Sequence, residues 1–315
     1  MVWRDGVHVA GSVLWCDAGR ARDLCFVSHA HVAARGAHGK VLATDRTLAL
    51  LGKRSATTLA SPFGRRFSLG SLRLELFPSG HLPGAASLRV EVGGRTVVYG
   101  GDVNPRPGLA EPMEVRDGDA LVLESPLAPL DGELPPRAEA EAALCDAVGR
   151  ALADGATPVV LAPALGAAQD ALAILHRAGV PLRAHPRVLD GAFAWQRAGI
   201  TMPPVRRGMP SRGEALVWPL HLRASAQLGR LPRPRLIAAT GLALDPLAAR
   251  KLDVAEVVPL SDHADRPSLL AYVAHTGARE VWLTDGWCEP LARALAARGV
   301  RAAPLGPPRQ MDLFA

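Results

Sequence analysis

The apolar stretch formed by residues 24–27 runs straight into Ser28-His29-Ala30-His31, and that junction constrains the chain more than any other feature. Two further segments carry the same kind of residue. Ser79-Gly80-His81 brings a third imidazole, and Gly100-Gly101-Asp102 brings a carboxylate just after the apolar run Thr96-Val97-Val98-Tyr99. Three imidazoles and one carboxylate suit a borderline-soft cation such as zinc, held tetrahedrally by nitrogen and oxygen. Polar residues just past strand ends are where α/β folds place their chemistry.

Period-two alternation dominates the first third of the chain. Residues 13–17 read as a short strand. Leu72, Leu74 and Leu76 alternate with Arg73 and Glu75, and Leu88, Val90 and Val92 alternate with Arg89 and Glu91. Gly93-Gly94 then predicts a two-residue hairpin turn. The middle changes to strand-helix alternation. Pro135-Pro136 opens an amphipathic helix that ends near Gly155. Residues 158–162 form a buried strand, and residues 166–178 form a helix stopped by Gly179. Residues 203–235, rich in Pro, Arg and Gly, read as loop, followed by a strand at 236–239. Strands at 256–260 and 280–284 follow, each leading into a helix; Gly277 stops the first helix and Gly299 the second. The pattern is βαβ-like and implies an α/β fold.

At 315 residues the chain suffices for one large domain or two smaller ones. No apolar run reaches the roughly 18 residues of a membrane span, and Met1-Val2-Trp3-Arg4-Asp5-Gly6 lacks the pattern of a secretory signal. A cytoplasmic location without membrane contact is expected. Cys16, Cys25, Cys145 and Cys288 match neither a zinc ribbon nor a redox pair and read as small buried hydrophobes. The net charge of +6 favours a polyanionic partner. Because Lys40, Lys53 and Lys251 are the only lysines, the arginine excess reads equally well as a coding bias.

The landmarks, in order, resemble the metallo-β-lactamase fold with a β-CASP insertion, and in particular the bacterial ligase-associated DNA exonucleases. Ser28-His29-Ala30-His31 resembles the first half of that family's (T/S)-H-x-H-x-D-H motif, Ser79-Gly80-His81 its third-histidine segment, and Gly100-Gly101-Asp102 its S/T-G-D segment. Leu123-Glu124-Ser125 is similar to an acidic E-S-T motif. Gly166 with Ala167, Ala168 and Gln169 is similar to a G-(K/R)-A-Q phosphate loop. Ser261-Asp262-His263-Ala264-Asp265 matches S-D-H-A-D, and Thr284-Asp285-Gly286 stands where the family has T-H-G. The resemblance implies an αββα sandwich built from residues 1–125 and 255–305, a short β-CASP insertion at 126–254, and an extended tail at 306–315.

In that family two metal ions share the site. Carried over residue by residue, His29, His31, His81 and Asp102 keep the first ion's ligands. The second site is degenerate: Ala33 and Ala34 replace its Asp and His, and Asp285 replaces its late histidine. One zinc ion is therefore expected. His38 is a candidate surrogate ligand. His263 takes the part of a general acid or phosphate donor, with Gly166 and Ser261 beside it on the phosphate, Asp102 at the reacting centre, and Glu124 orienting His263. His185 aligns with a family H-G, although Pro186 replaces the glycine.

The segment Gln310-Met311-Asp312-Leu313-Phe314 resembles the pentapeptide by which bacterial replication and repair proteins bind the sliding clamp. Pro304, Pro307 and Pro308 keep its approach extended, Leu313 and Phe314 would fill an apolar pocket, and Gln310 would bond at the rim. A tail folded back on its own domain is the competing reading. The combined expectation is a DNA repair or replication protein recruited to the clamp, with an ATP-dependent ligase or repair polymerase as partner, and with impaired or absent nuclease activity. An active single-metal DNA or RNA exonuclease and a non-enzymatic DNA-binding adaptor are the alternatives.

Overall fold

The structure is a computed structural model that describes residues 1–31, 38–52, 57–286 and 288–306. Ala33, Ala34, Gln310, Leu313 and Phe314 lie outside the described residues. Among the described residues three sheets form. The first, six-stranded, runs in chain order from Val2–Trp3 through Leu14–Cys16, Leu24–Phe26 and Lys40–Ala43 to Thr58–Ala60. The second, seven-stranded, has the order Arg301–Pro304, Glu280–Thr284, Ala120–Glu124, Arg95–Gly101, Ala86–Val92, Leu72–Pro78 and Arg66–Leu69. The third is wholly parallel: Arg206–Arg207, Leu182–Ala184, Ala215–Pro219, Thr157–Ala162, Pro234–Ala239 and Glu256–Val258.

The alternation read from the sequence explains how the first two sheets meet. Leu72, Leu74, Leu76, Leu88 and Val90 point one way and pack with Leu14, Leu24, Phe26 and Leu42 of the first sheet in one core. Along those second-sheet strands, Arg73 stands opposite Glu91 and Glu75 opposite Arg89, opposite charges in register. Gly93 and Gly94 both take positive φ (56° and 74°), the requirement of a two-residue hairpin turn, and so set that register.

Helices cover the outer faces. Helix α1 (Asp45–Leu51) lies against the far side of the first sheet, where Leu48 and Leu51 meet Cys25, Val27 and Ala43. Helices α6 (Arg266–Thr276) and α7 (Glu289–Ala296) cover the second sheet through Leu269, Tyr272, Val273, Leu291 and Leu295. Helix α6 begins at Asp265, whose carboxylate accepts the Ser268 amide (2.9 Å), and it ends at Gly277 with φ 64°.

The third sheet is buried on both faces, as parallel sheets are. Helices α2 (Arg137–Ala153), α3 (Ala167–Arg177) and α4 (Pro186–Arg197) pack on one face. The short helix α5 (Ala248–Leu252) and the segment around Leu228 and Leu231 close the other. The expected loop at 203–235 is corrected here: it contains the strands Arg206–Arg207 and Ala215–Pro219, the latter fully buried beside Thr157–Ala162. The four apolar residues Ala215 to Trp218 are too few to show a period, and the surrounding Pro and Arg hide them. Glu256–Val258 is the edge strand of this sheet.

The pairing also fixes where chemistry can sit. Arg95–Gly101, Ala120–Glu124 and Glu280–Thr284 are mutually parallel, and Leu72–Pro78 runs the same way two antiparallel steps away. Their carboxyl ends therefore share one edge, which carries Asp102, Glu124, Asp285 and His81. The four cysteines are free, three of them buried. Among the described residues no helix is long and apolar enough to cross a membrane.

Candidate metal centre

Three histidines converge on that edge with one ring nitrogen bare on each. The Ser28 amide and hydroxyl both donate to the Asp17 carboxylate (2.8 and 2.5 Å). With its proton committed, the Ser28 oxygen accepts Nδ1–H of His29 (2.8 Å). The His81 Nδ1–H donates to the Asp262 carbonyl (2.7 Å), and the His31 Nε2–H donates to the Leu165 carbonyl (2.8 Å). An oxygen therefore fixes the tautomer of each ring, the usual support of a metal-bound imidazole. The bare nitrogens left over are Nε2 of His29, Nδ1 of His31 and Nε2 of His81.

Those nitrogens face one another. His81 Nε2 and His31 Nδ1 are 3.1 Å apart, and the three residues group closely enough to share an ion. Two lone pairs at that separation repel unless a cation lies between them. Zinc–nitrogen bonds of about 2.0–2.1 Å in a tetrahedron place neighbouring nitrogens about 3.3 Å apart. The donor set therefore fits zinc. Burial drives the His81 pKa down to about 4 and that of His29 well below the usual imidazole range, so both are neutral, as ligands must be.

Asp102 joins this set to a fourth histidine. Its Oδ2 lies 3.7 Å from His29 Nε2 and 3.8 Å from His81 Nε2, while its Oδ1 lies 3.2 Å from His263 Nδ1. Burial alone would raise the Asp102 carboxyl. The charge and hydrogen bond of His263 outweigh burial and hold it well below the carboxylate range. Burial would likewise lower His263, yet Asp102 and Asp262 raise it to about 9. His263 is thus an imidazolium at neutral pH, with Nε2 3.4 Å from Asp262 Oδ1. His81, Asp262 and His263 form a second cluster of potential ligands.

Two other expected residues reach the same place by a different route. Asp285 lines a cavity of about 540 Å³ together with His29, His31, Asp102, Glu124 and His263, but it belongs to neither ligand cluster. Glu124 accepts the Tyr99 hydroxyl (3.1 Å), where the resemblance puts a contact to His263. Burial, and the charges of Asp102 and Asp17, push the Glu124 carboxyl well up.

The phosphate-loop segment has a particular geometry. Gly166, at the start of α3, has φ 102°, and its amide donates to Gln169 Oε1 (2.8 Å). A Cβ there would lie 2.4 Å from Asp262 Oδ2, so this carboxylate rests directly on the glycine at the helix N-terminus, where negative charge is favoured. Ser261 Oγ accepts the His263 amide (3.1 Å) and so shapes the turn that presents His263. His38 accepts the Arg22 amide (3.2 Å) and is in neither ligand cluster.

Sequence reasoning missed Asp17, Tyr99 and the side chain of Asp262. Asp17 follows the strand Leu14–Cys16 just as Asp102 follows its own strand, and that strand-end position was the available signal. Tyr99 lies within a strand, where nothing marks its hydroxyl as shared between Asp17 (2.9 Å) and Glu124.

No protein-family model matches the chain. Over 318 aligned positions, 98% of its length, the chain is 30% identical to a protein of Opitutus terrae named probable DNA ligase, of which it spans 31%. It is 30% identical over 130 residues, 39% of its length, to the RNase J-like protein of Methanocaldococcus jannaschii, spanning 30% of that relative. It is 28% identical over 137 residues, 42% of its length, to RNase aCSPSF2 of Saccharolobus solfataricus, spanning 27% of it. The chain spans about a third of the length of these curated relatives. The chain thus gathers candidate His and Asp ligands at one sheet edge and is similar to relatives named as RNases.

Proposed function

We propose that this chain acts on nucleic acid as a metallo-β-lactamase/β-CASP protein, holds one tight zinc ion, and has impaired or absent two-metal nuclease activity. The observation that carries this reading is the convergence of three bare histidine nitrogens, each with its other nitrogen tied to an oxygen. We assign residues 1–125 and 255–305 to the αββα sandwich and the intervening residues to the insertion. In support, two sheets share one core with helices outside, and five of the six strands of the parallel sheet lie within residues 157–239. The tail at 306–315 follows.

His29, His31, His81 and Asp102 would hold the zinc, which when bound polarises a phosphoryl oxygen and supplies a nucleophile at neutral pH. The imidazolium of His263, gripped by Asp102 and Asp262, is placed to donate to a phosphate or to a leaving oxygen. Ser261 holds the turn that presents it. Ala33 and Ala34 have no donor atoms, which leaves Asp285 and Asp102 as the second ion's only ligands from the carried-over set. Elemental analysis after dialysis should give one zinc per chain; two tight ions would overturn the degenerate second site. Nuclease assays with Zn²⁺, Mn²⁺ and Mg²⁺ then separate the readings. Cleavage by the one-zinc protein favours a single-metal DNA or RNA exonuclease, and no cleavage favours a DNA-binding adaptor.

The pathway we propose is DNA repair or replication, beside an ATP-dependent ligase or repair polymerase. The near full-length similarity to part of a protein named probable DNA ligase supports it. Gln310, Leu313 and Phe314 would contact the sliding clamp. A peptide of residues 304–315 should bind the clamp at micromolar strength, about −8 kcal/mol. Leu313→Ala with Phe314→Ala removes two apolar groups worth about 1.5–3 kcal/mol each and should abolish binding in fluorescence anisotropy. Unchanged binding by the double variant would remove the clamp from the pathway.

A further inference from the structure

The three converging histidines are not held in the same way. Main-chain oxygens fix two of them, since the Leu165 carbonyl takes the His31 Nε2–H and the Asp262 carbonyl takes the His81 Nδ1–H. A carbonyl can only accept, so it leaves each of those rings a single tautomer. His29 faces a hydroxyl instead, with Ser28 Oγ 2.8 Å from its Nδ1. A hydroxyl donates as readily as it accepts. If Ser28 donated, Nδ1 would become the acceptor and the ring proton would move to Nε2, the nitrogen that the metal needs bare.

Asp17 decides between the two. Its Oδ1 accepts the Ser28 amide and its Oδ2 the Ser28 hydroxyl, and a carboxylate offers no proton in return. The rest of Ser28 is fixed as well. Its carbonyl accepts the Ala86 amide (2.8 Å), and a Cβ at Gly101 would lie 3.2 Å from Ser28 Oγ, so the neighbouring strand leaves the hydroxyl little room. Asp17 is held in turn. It stands just past the strand Leu14–Cys16 with φ 45°, a left-handed turn that Asp and Asn adopt more readily than other side chains. Its amide donates to the Phe26 carbonyl (2.9 Å), and the Tyr99 hydroxyl lies 2.9 Å from its Oδ2. Tyr99 is itself packed edge-on against Phe26 at 6.1 Å.

We propose that Asp17 is a positioning residue that sets the tautomer of His29 through Ser28, so that Nε2 is bare before any metal arrives. The proposal rests on the metal reading above and adds to it a residue that touches no metal. It makes a sharp claim about one substitution. In Asp17→Asn the Ser28 amide still requires an oxygen, which fixes the side-chain carbonyl at the Oδ1 position. The new NH₂ then occupies the Oδ2 position and donates to Ser28 Oγ. The serine proton is displaced toward His29 Nδ1, and the ring proton moves to Nε2. A carboxylate exchanged for an amide behind a histidine thus turns the ring to the wrong tautomer while the shape of the site is kept.

The test reads the tautomer directly, in the zinc-free full chain carrying ¹⁵N-labelled histidine. Ring-nitrogen chemical shifts report which nitrogen bears the proton, and the His29 signals are those lost in His29→Ala. Wild type should show His29 protonated on Nδ1 and bare on Nε2; the reverse would overturn the proposal without any further variant. Asp17→Asn should exchange the two signals and weaken zinc binding at least about tenfold in competition with a chelator. In a Ser28→Ala background, where the relay is gone, Asp17→Asn should change zinc affinity less than about twofold. An equal loss in both backgrounds would mean that Asp17 does not act through Ser28. Tyr99→Phe leaves Asp17 accepting from Ser28 and should keep the Nδ1–H tautomer. A zinc loss there as large as in Asp17→Asn, with the tautomer kept, would assign the effect to loosening of the whole site and overturn the relay. Wild type that takes up no zinc would overturn the metal reading, whereas the ring shifts would still decide for or against Asp17.

Discussion

His81→Ala protein should leave dialysis with less than about a tenth of the zinc retained by wild type, and any nuclease activity should fall at least about a hundredfold. His81 is 3% exposed, its Nδ1–H is fixed by the Asp262 carbonyl, and its Nε2 is 3.1 Å from His31 Nδ1. Alanine removes a ligand and also the strut between the third-histidine segment and the loop that carries His263. Groups that merely orient a ligand are already worth about 10–100-fold in metal affinity or activity, so loss of the ligand should exceed that range. Two companion variants locate the effect. Asp102→Ala should abolish activity with a smaller loss of zinc, because Asp102 Oδ2 stands 3.7–3.8 Å from the His29 and His81 nitrogens while Oδ1 serves His263. His263→Ala should keep the zinc and lower turnover more than substrate binding, since His263 is in a cluster with Asp262 and not with all three bare nitrogens. Full zinc retention by His81→Ala would mean that the three histidines are not the metal's ligands.

The residues that could be read from the sequence are those whose chemistry is local. A His-x-His pair directly after an apolar run, and an aspartate directly after another, announce candidate strand-end ligands without knowledge of the pairing. The alternation of Leu72–Leu76 and Leu88–Val92 likewise discloses one buried face, and that face is the core shared by two sheets. Illegible were the contacts that depend on which strands become neighbours. Tyr99 reaches Asp17 and Glu124 because three separate strand ends meet, and no sequence window contains all three residues. Ala215–Pro219 hid for a different reason: a strand buried on both faces has no alternation to show, and its parallel neighbours are supplied by distant residues. The contact of Asp262 with Gly166 joins an expected acid-base loop to an expected phosphate loop across 96 residues, a juxtaposition that only the packing of the third sheet against the metal centre creates.

Ala33→Asp, Ala34→His and Asp285→His made together should raise the metal content from one ion per chain to two. The alanine methyl groups offer no donor, so in wild type only Asp102 and Asp285 of the carried-over second set can ligate, too few for zinc. Asp102 is suited to serve both ions, because one oxygen faces His29 and His81 while the other faces away toward His263. Asp285 already lines the cavity that contains Asp102, and its backbone, with φ 50°, occupies a region in which Asp and His are both enriched, so the substitution carries little backbone strain. Asp285→His alone should add no second ion, since it supplies one imidazole to one shared carboxylate. A second ion would stabilise charge on the phosphoryl group by several kcal/mol, and each 1.36 kcal/mol is tenfold in rate, so nuclease activity of the triple variant should exceed wild type by about a hundredfold or more. Elemental analysis and a cleavage assay on the same preparation read the two effects separately. If the metal content stays at one, the missing ligands are not the reason for the empty second site. If it rises to two without cleavage, the chain has lost more than ligands, and the adaptor reading takes the place of the impaired nuclease.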